Sequence, residues 1–375
     1  MKAIQMCDLQ TQYLEIKSEL DVAMQEVLDS GAFVKGRQVT DFARHLAEWL
    51  GVRHVIPTGN GTDALQIALM ALGLKHGDEV ITPDFTFIAT AEVVALLGLT
   101  PVLVDVDSST MNISIDALRR AITPRTKAIV PVHLFGQCAD MEPVMQIARE
   151  NNLFVVEDAC QAIGAEYRFS NGKSLKAGTI GQIGCTSFFP SKNLGCYGDG
   201  GAIFTDDDEL AARMQSIANH GMTVRYHHDL VGVNSRLDSL QAAVLDVKLR
   251  HLDRYTVLRQ EAAAVYDEGL RDNPHLLIPA RAPYSTHVFH QYTLQLKDIK
   301  RDMLKERLAE AGIPSMVYYP VPLHMQKAYQ SERSQKGCFP VSEHLASCVL
   351  SLPMHTCLTD EQQQYIIRTL NLLTS

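Results

Sequence analysis

Between residues 52 and 205 the chain alternates short runs of β-branched and aliphatic residues with longer amphipathic stretches. Few folds accommodate that alternation, because short apolar runs separated by helix-length segments pair as parallel strands with helices packed over them. The runs are His54-Val55-Ile56, Glu79-Val80-Ile81, Thr100 to Val104, Ala128 to Val132, Phe154-Val155-Val156-Glu157 and Gly201 to Phe204. Apolar residues at helical spacing mark Thr62 to Leu72, Phe87 to Leu97, Ile115 to Ile122 and Met141 to Asn151 between them. The expected class is α/β, with a large domain built on a mostly parallel sheet.

Near residue 236 the pattern changes to a long helix, Leu237 to Val265, expected to connect two domains and to serve as a hinge. Beyond it, Gln291 to Leu296 alternates like a half-exposed strand, and Arg301 to Ala311 is an amphipathic helix ended by Gly312 and Pro314. This predicts a large domain over 1–250 and a small α+β domain over 251–375. The polar stretch Gln330 to Gly337 is expected to be a mobile loop.

A chain of 375 residues that is 46% hydrophobic can bury a large core. The formal net charge of -9 lacks the broad positive field of generic nucleic-acid or anionic-membrane binding, so an anionic ligand would need local basic residues. No stretch has the length of a membrane span, and Asp8 and Glu15 interrupt the beginning of the sequence. The eight scattered cysteines form no C-x-x-C pair and are expected to be reduced in a cytoplasmic protein.

Three segments carry chemistry. In Thr58-Gly59-Asn60-Gly61-Thr62-Asp63-Ala64-Leu65 a strand ends in a glycine turn and a helix begins, which suits a phosphate and equally an ordinary Asn or Thr cap. Val155-Val156-Glu157-Asp158 delivers Asp158 to the C-terminal edge of a strand, where ligands of open α/β sheets bind. A carboxylate there needs a cationic partner such as a protonated pyridine, unless it caps a helix. In Thr186 to Gly201, Lys192 lies between an aromatic run and glycines, surroundings that can desolvate an ammonium as a Schiff-base lysine requires; an exposed loop lysine explains that segment alone as well. Neither the G-x-G-x-x-G nor the G-x-x-x-x-G-K-[ST] pattern stands in the required context, so dehydrogenase and P-loop readings fall away.

Together with Gln161, Ser187 and the later run Tyr226 to Asp238, these segments resemble the DegT/StrS family of sugar aminotransferases over nearly the whole chain. The resemblance implies the pyridoxal-phosphate-dependent transferase fold type I, like aspartate aminotransferase, with pyridoxal 5'-phosphate as cofactor. By position, Lys192 would hold the cofactor, Asp158 would pair with its pyridine nitrogen, Gln161 would approach its 3-hydroxyl side and Phe87 would stack on its ring. The turn Asn60-Gly61-Thr62, with Ser187 and, across a homodimer interface, Asn234, would hold the phosphate.

The same resemblance implies a nucleotide keto sugar as substrate and glutamate as amino donor. Arg225, Arg236 and His324 are candidates for the diphosphate or a sugar carboxylate. Tyr318 and Tyr319 belong to the segment expected to cover the sugar, although many relatives have His where Tyr318 stands. Within the family, the runs Thr186 to Gly201 and Tyr226 to Ala242 look most like enzymes that aminate carbon 3 of UDP-2-acetamido-3-keto-glucuronic acid for polysaccharide or O-antigen (lipopolysaccharide) precursors. Amination of dTDP-3-keto or UDP-4-keto deoxysugars is the alternative, and a non-catalytic regulator is an alternative of another class. Relatives that dehydrate sugars replace the lysine, so Lys192 argues against dehydration. His227-His228 and His287 with His290 lack accompanying ligands, and no metal is expected.

Overall fold

The computed structural model describes residues 2–329 and 335–375. In chain order the first strands are β1 (His54–Thr58), β2 (Glu79–Pro83), β3 (Thr100–Val104), β4 (Thr126–Ile129) and β5 (Phe154–Asp158). A small hairpin of β6 (Glu166–Arg168) and β7 (Ser174–Lys176) precedes β8 (Ile183–Ser187) and β9 (Gly201–Thr205). Seven of these form one sheet in the order β1-β9-β8-β5-β4-β2-β3, in which only β9 runs against its neighbours.

Adjacent residues of the central strands face opposite sides, yet both sides are buried. Val80, Ala128 and Val156 pack in one apolar layer with the helix Gly61–Ala71, whereas Ile81, Ile129 and Val155 pack in another with the helices Ile115–Ala121 and Met141–Glu150. Continuous apolar runs are what a parallel sheet covered on both faces demands. All six expected strands and all four expected helices form, with ends shifted by a few residues. β8 is not among the expected strands; Gly184 near its start and polar Thr186 and Ser187 at its end hide a strand pattern.

The expected long helix is two. Ser239–Leu249 and Leu252–Leu270 are separated at Arg250 and His251. Ala242, Leu245 and Leu249 pack with the helix Arg37–Leu50, whereas Ala262, Ala263, Tyr266 and Leu270 pack in a separate C-terminal core. One straight rod does not serve both cores, and at the break His251 is held by Glu19 at 3.0 Å and stacks against Tyr255. After an exposed hairpin of β10 (Met222–Val224) and β11 (His227–His228), the remaining strands β12 (Leu276–Leu277), β13 (Tyr292–Leu296) and β14 (Val349–Leu352) make a three-stranded antiparallel sheet. The helices Leu252–Leu270, Arg301–Glu310 and Asp360–Thr374 cover it.

The polar stretch expected to be a mobile loop lies, over 330–334, outside the described residues. All eight cysteines are free. Among the described residues no helix is long and apolar enough to cross a membrane.

Candidate active site

The C-terminal ends of β1, β5 and β8 and the beginning of β9 meet at one edge of the sheet, where Thr58 and Ser187 both pair with Gly201. Asn60 caps the helix Gly61–Ala71 by accepting from Asp63 N at 2.8 Å, so the cap reading of this turn is correct as far as it goes. The amides of Gly61 and Thr62, in the first turn, have no intrahelical acceptor and remain for an anion. Gly61 is needed for contact: a Cβ there would stand 2.7 Å from Ser187 Cβ and 3.0 Å from Cys160 Sγ. The glycine turn and Ser187, remote in sequence, therefore form one cradle.

Asp158 ends β5 and is 5% exposed. Its Oδ2 accepts from Thr90 Oγ1 at 2.7 Å and its Oδ1 from Cys160 N at 3.1 Å, but it forms no ion pair among the described residues. A carboxylate so placed needs a cation to offset its desolvation. Lys192 follows β8 in a tight turn closed by its amide to Phe189 O at 2.8 Å. Burial pushes the Lys192 amine below its ordinary value, opposed by Cys160 and Asp158. The Cys160 thiol is itself held well above its usual range by burial.

Around this centre, Gln161 accepts from Phe135 N at 2.9 Å and donates through Nε2 to the Tyr319 hydroxyl at 3.1 Å. The Tyr319 ring lies 6.2 Å from that of Phe87, which is 52% exposed and so leaves a face open to the cleft. Tyr318 is half-buried, its hydroxyl pushed up by burial and by nearby Cys7. Asn234 and Arg236 are exposed, while Ser235 between them is buried, accepting from Gly59 N at 2.9 Å and donating to Asp63 at 2.6 Å. The alternation of an extended segment thus turns Asn234 and Arg236 to the same outer side. Arg225 sits in the exposed β10–β11 hairpin against the Tyr226 ring.

His324 is not at a ligand-facing surface. It is fully buried and bonded to Asp84 at 2.7 Å, which removes it from the expected diphosphate contacts. His287 stacks on Phe289 with ring centroids 4.0 Å apart and is held near about 3 by burial; buried His290 is likewise held low. Thr90, unmarked in the sequence reading, is three residues beyond Phe87, one turn along, and that spacing was its only signal.

The profile of the DegT/DnrJ/EryC1/StrS aminotransferase family matches residues 14–371. The chain belongs to this family. Among DegT/DnrJ/EryC1/StrS relatives, it is 47% identical to the UDP-2-acetamido-2-deoxy-3-oxo-D-glucuronate aminotransferase of Pseudomonas aeruginosa, over 95% of this chain and 96% of the relative. It is also 47% identical to a pleiotropic regulatory protein of Geobacillus stearothermophilus, covering 97% and 96% of the two chains. A third relative at 47%, covering 96% and 95%, is the UDP-N-acetyl-3-dehydro-alpha-D-glucosamine 3-aminotransferase of Acidithiobacillus ferrooxidans. The crystal structure of a DegT/DnrJ/EryC1/StrS aminotransferase from Brucella abortus superposes with a TM-score of 0.94 at 41% identity, covering 99% of this chain and 100% of that one. DegT/DnrJ/EryC1/StrS aminotransferases use pyridoxal phosphate, and this member is a pyridoxal-phosphate-dependent sugar-nucleotide aminotransferase of the type I fold.

Proposed function

We propose that this enzyme moves an amino group from L-glutamate to carbon 3 of UDP-2-acetamido-3-keto-glucuronic acid, in a homodimer whose two active sites share residues. The observation that carries the site assignment is the juxtaposition of a buried, unpaired Asp158 with a desolvated Lys192 beside an anion cradle. These residues fit the cofactor. The amides of Gly61 and Thr62, with Asn60, Ser187 and the partner's copy of Asn234, would hold the phosphate, and Phe87 and Gln161 would contact the ring.

When bound, pyridoxal phosphate supplies an electron sink for a carbanion at the substrate carbon. Asp158 would pair with the ring nitrogen, and Thr90 keeps its carboxyl group aimed. Lys192, through Nζ, would anchor the cofactor and would then carry a proton between carbon atoms; its lowered affinity for protons leaves more of the amine free to act as base. Tyr319, with Tyr318 beside it, walls the sugar side of the cleft.

The substrate assignment is supported by the two UDP-3-oxo-sugar aminotransferases at 47% identity, of which one is named for a glucuronate and the other for a glucosamine. Arg236 favours the acid. Its guanidinium is exposed and makes no hydrogen bond or ion pair among the described residues, leaving a planar fork for a carboxylate or diphosphate of the partner's substrate. Arg225, on the exposed hairpin, is the second basic group available to that ligand. The use of the product for O-antigen or another polysaccharide follows from the same assignment, as does work in the cytoplasm.

The deciding experiment supplies glutamate with UDP-2-acetamido-3-keto-glucuronic acid, its 3-keto-glucosamine counterpart, a dTDP-3-keto deoxysugar and a UDP-4-keto deoxysugar. The glucuronic acid should be aminated with the highest kcat/KM, and Arg236→Ala should erase its advantage over the glucosamine. Preference for any other sugar overturns the substrate assignment, as does absence of turnover with all four in protein carrying cofactor.

A further inference from the structure

Asp84 leaves β2 at the edge of the cleft and is wholly buried. Its Oδ1 accepts from His324 N and its Oδ2 from His324 Nδ1, each at 2.7 Å, while its backbone oxygen accepts from Leu323 N at 3.0 Å. The far side of the imidazole is also enclosed, with Nε2 3.3 Å from Glu343 Oε1 and the Phe339 ring 4.6 Å away, centroid to centroid. These contacts join segments 240 residues apart in sequence.

Both partners stand at the base of an arm whose other end reaches the cleft. Phe85 and Phe87 stand one and three residues after Asp84, and Tyr319 precedes His324 by five residues. The rings of Phe85 and Phe87 each lie 6.2 Å from that of Tyr319, and the Tyr319 hydroxyl is bonded to Gln161. Apolar side chains could hold two segments together without the desolvation cost of a buried acid. Two short directional bonds to one carboxylate, one from a main-chain amide and one from the ring of the same residue, fix the rotation and distance of one segment against the other.

We propose that the Asp84–His324 pair is a positioning device for amino transfer, setting where Tyr319 stands against Phe87 and Gln161. It acts through Tyr319 and touches neither cofactor nor substrate. The inference rests on the reading of the cleft as the cofactor and sugar site.

A double-mutant cycle on the holoenzyme tests it. Asp84→Asn keeps the size of the side chain and should retain cofactor content and the absorbance of the Lys192-linked cofactor. Its kcat/KM for the keto sugar should fall on the order of tenfold to a hundredfold, the scale of a misplacement of about 1 Å near the reacting groups. Tyr319→Phe should lower it as well, and the double variant should be little worse than Tyr319→Phe alone. At the other end, His324→Asn leaves an N–H donor near the position of Nδ1 and should recover most of what His324→Leu loses, a comparison that also stands if Asp84→Asn does not fold. Losses that multiply independently, or equal losses in His324→Asn and His324→Leu, overturn the proposal. If Tyr319→Phe transfers as well as wild type, the placement of Tyr319 at the sugar is wrong, a failure distinct from lack of coupling.

Discussion

Thr90 donates its hydroxyl hydrogen to Asp158 Oδ2 at 2.7 Å, from a helix that begins at Ala89, two residues after Phe87. The carboxylate is thereby aimed before any ligand arrives. Asp158→Asn should still take up cofactor but lose most of the half-reaction rate with glutamate, because an amide does not hold a proton on the ring nitrogen. Thr90→Val removes one bond to a charged group and should slow the same step on the order of tenfold. Stopped-flow absorbance with glutamate alone measures both, and an unchanged Asp158→Asn rate would reduce this residue to a local cap.

Lys192→Ala should fold, since a lysine facing a cleft contributes little packing, yet should lose the absorbance of the covalently held cofactor together with all turnover. Borohydride reduction of wild type followed by peptide mapping should place the adduct on Lys192. An adduct on another lysine contradicts the site.

Gly61→Ala inserts a methyl where Ser187 Cβ would be 2.7 Å away. Neither neighbour is the end of a flexible chain, so the start of the helix must move, at a cost of about 1–3 kcal/mol. Cofactor affinity should fall with it, read by titrating the cofactor-free protein. Wild-type affinity in a stable Gly61→Ala protein would show that the phosphate sits elsewhere.

Lys248 is buried, donates to Gly195 O at 2.8 Å behind the Lys192 turn, and has its pKa lowered by burial from 10.5 to about 8. Between those values the unfolded chain binds the proton that the folded chain has released, so this residue makes stability rise with pH through that window and lowers it as pH falls through the folded value. Relative to Lys248→Met, wild type should gain about 2 kcal/mol from about pH 7.5 to about pH 10. Urea denaturation of both proteins gives the difference, and a pH-independent gap would show that Lys248 is solvated.

Mixing inactive Lys192→Ala with Arg236→Ala protein, assayed on the glucuronic acid sugar that Arg236→Ala handles poorly, tests shared sites. In the heterodimer both lesions fall in one composite site and the other is intact, so equal mixing should restore about a quarter of wild-type activity. No recovery after proven subunit exchange would mean that Arg236 serves its own subunit.

Six of the strands between His54 and Thr205, and four helices between them, were legible because burial on both faces writes itself into short-range periodicity, whereas β8 was not. The motifs around Lys192 and Asp158 marked them as candidates, and the resemblance supplied their order along the chain. Ser187 and Gly61 could be proposed as partners, but the 2.7 Å approach that makes them one cradle depends on β1, β9 and β8 lying side by side. The break at Arg250 and His251 was invisible, since an apolar stripe records that a residue is covered and not which of two cores covers it. His324 misled for the same reason: a histidine beside tyrosines in a substrate-covering segment has the same local sequence whether its ring meets a ligand or the carboxylate of Asp84. The sequence by itself determined the alternating α/β framework and the chemical types at its edge. Which side chains turn into the cleft, and which are spent holding its walls, was decided by docking the C-terminal segments onto the sheet, because a contact across 240 residues leaves no periodic trace in either partner.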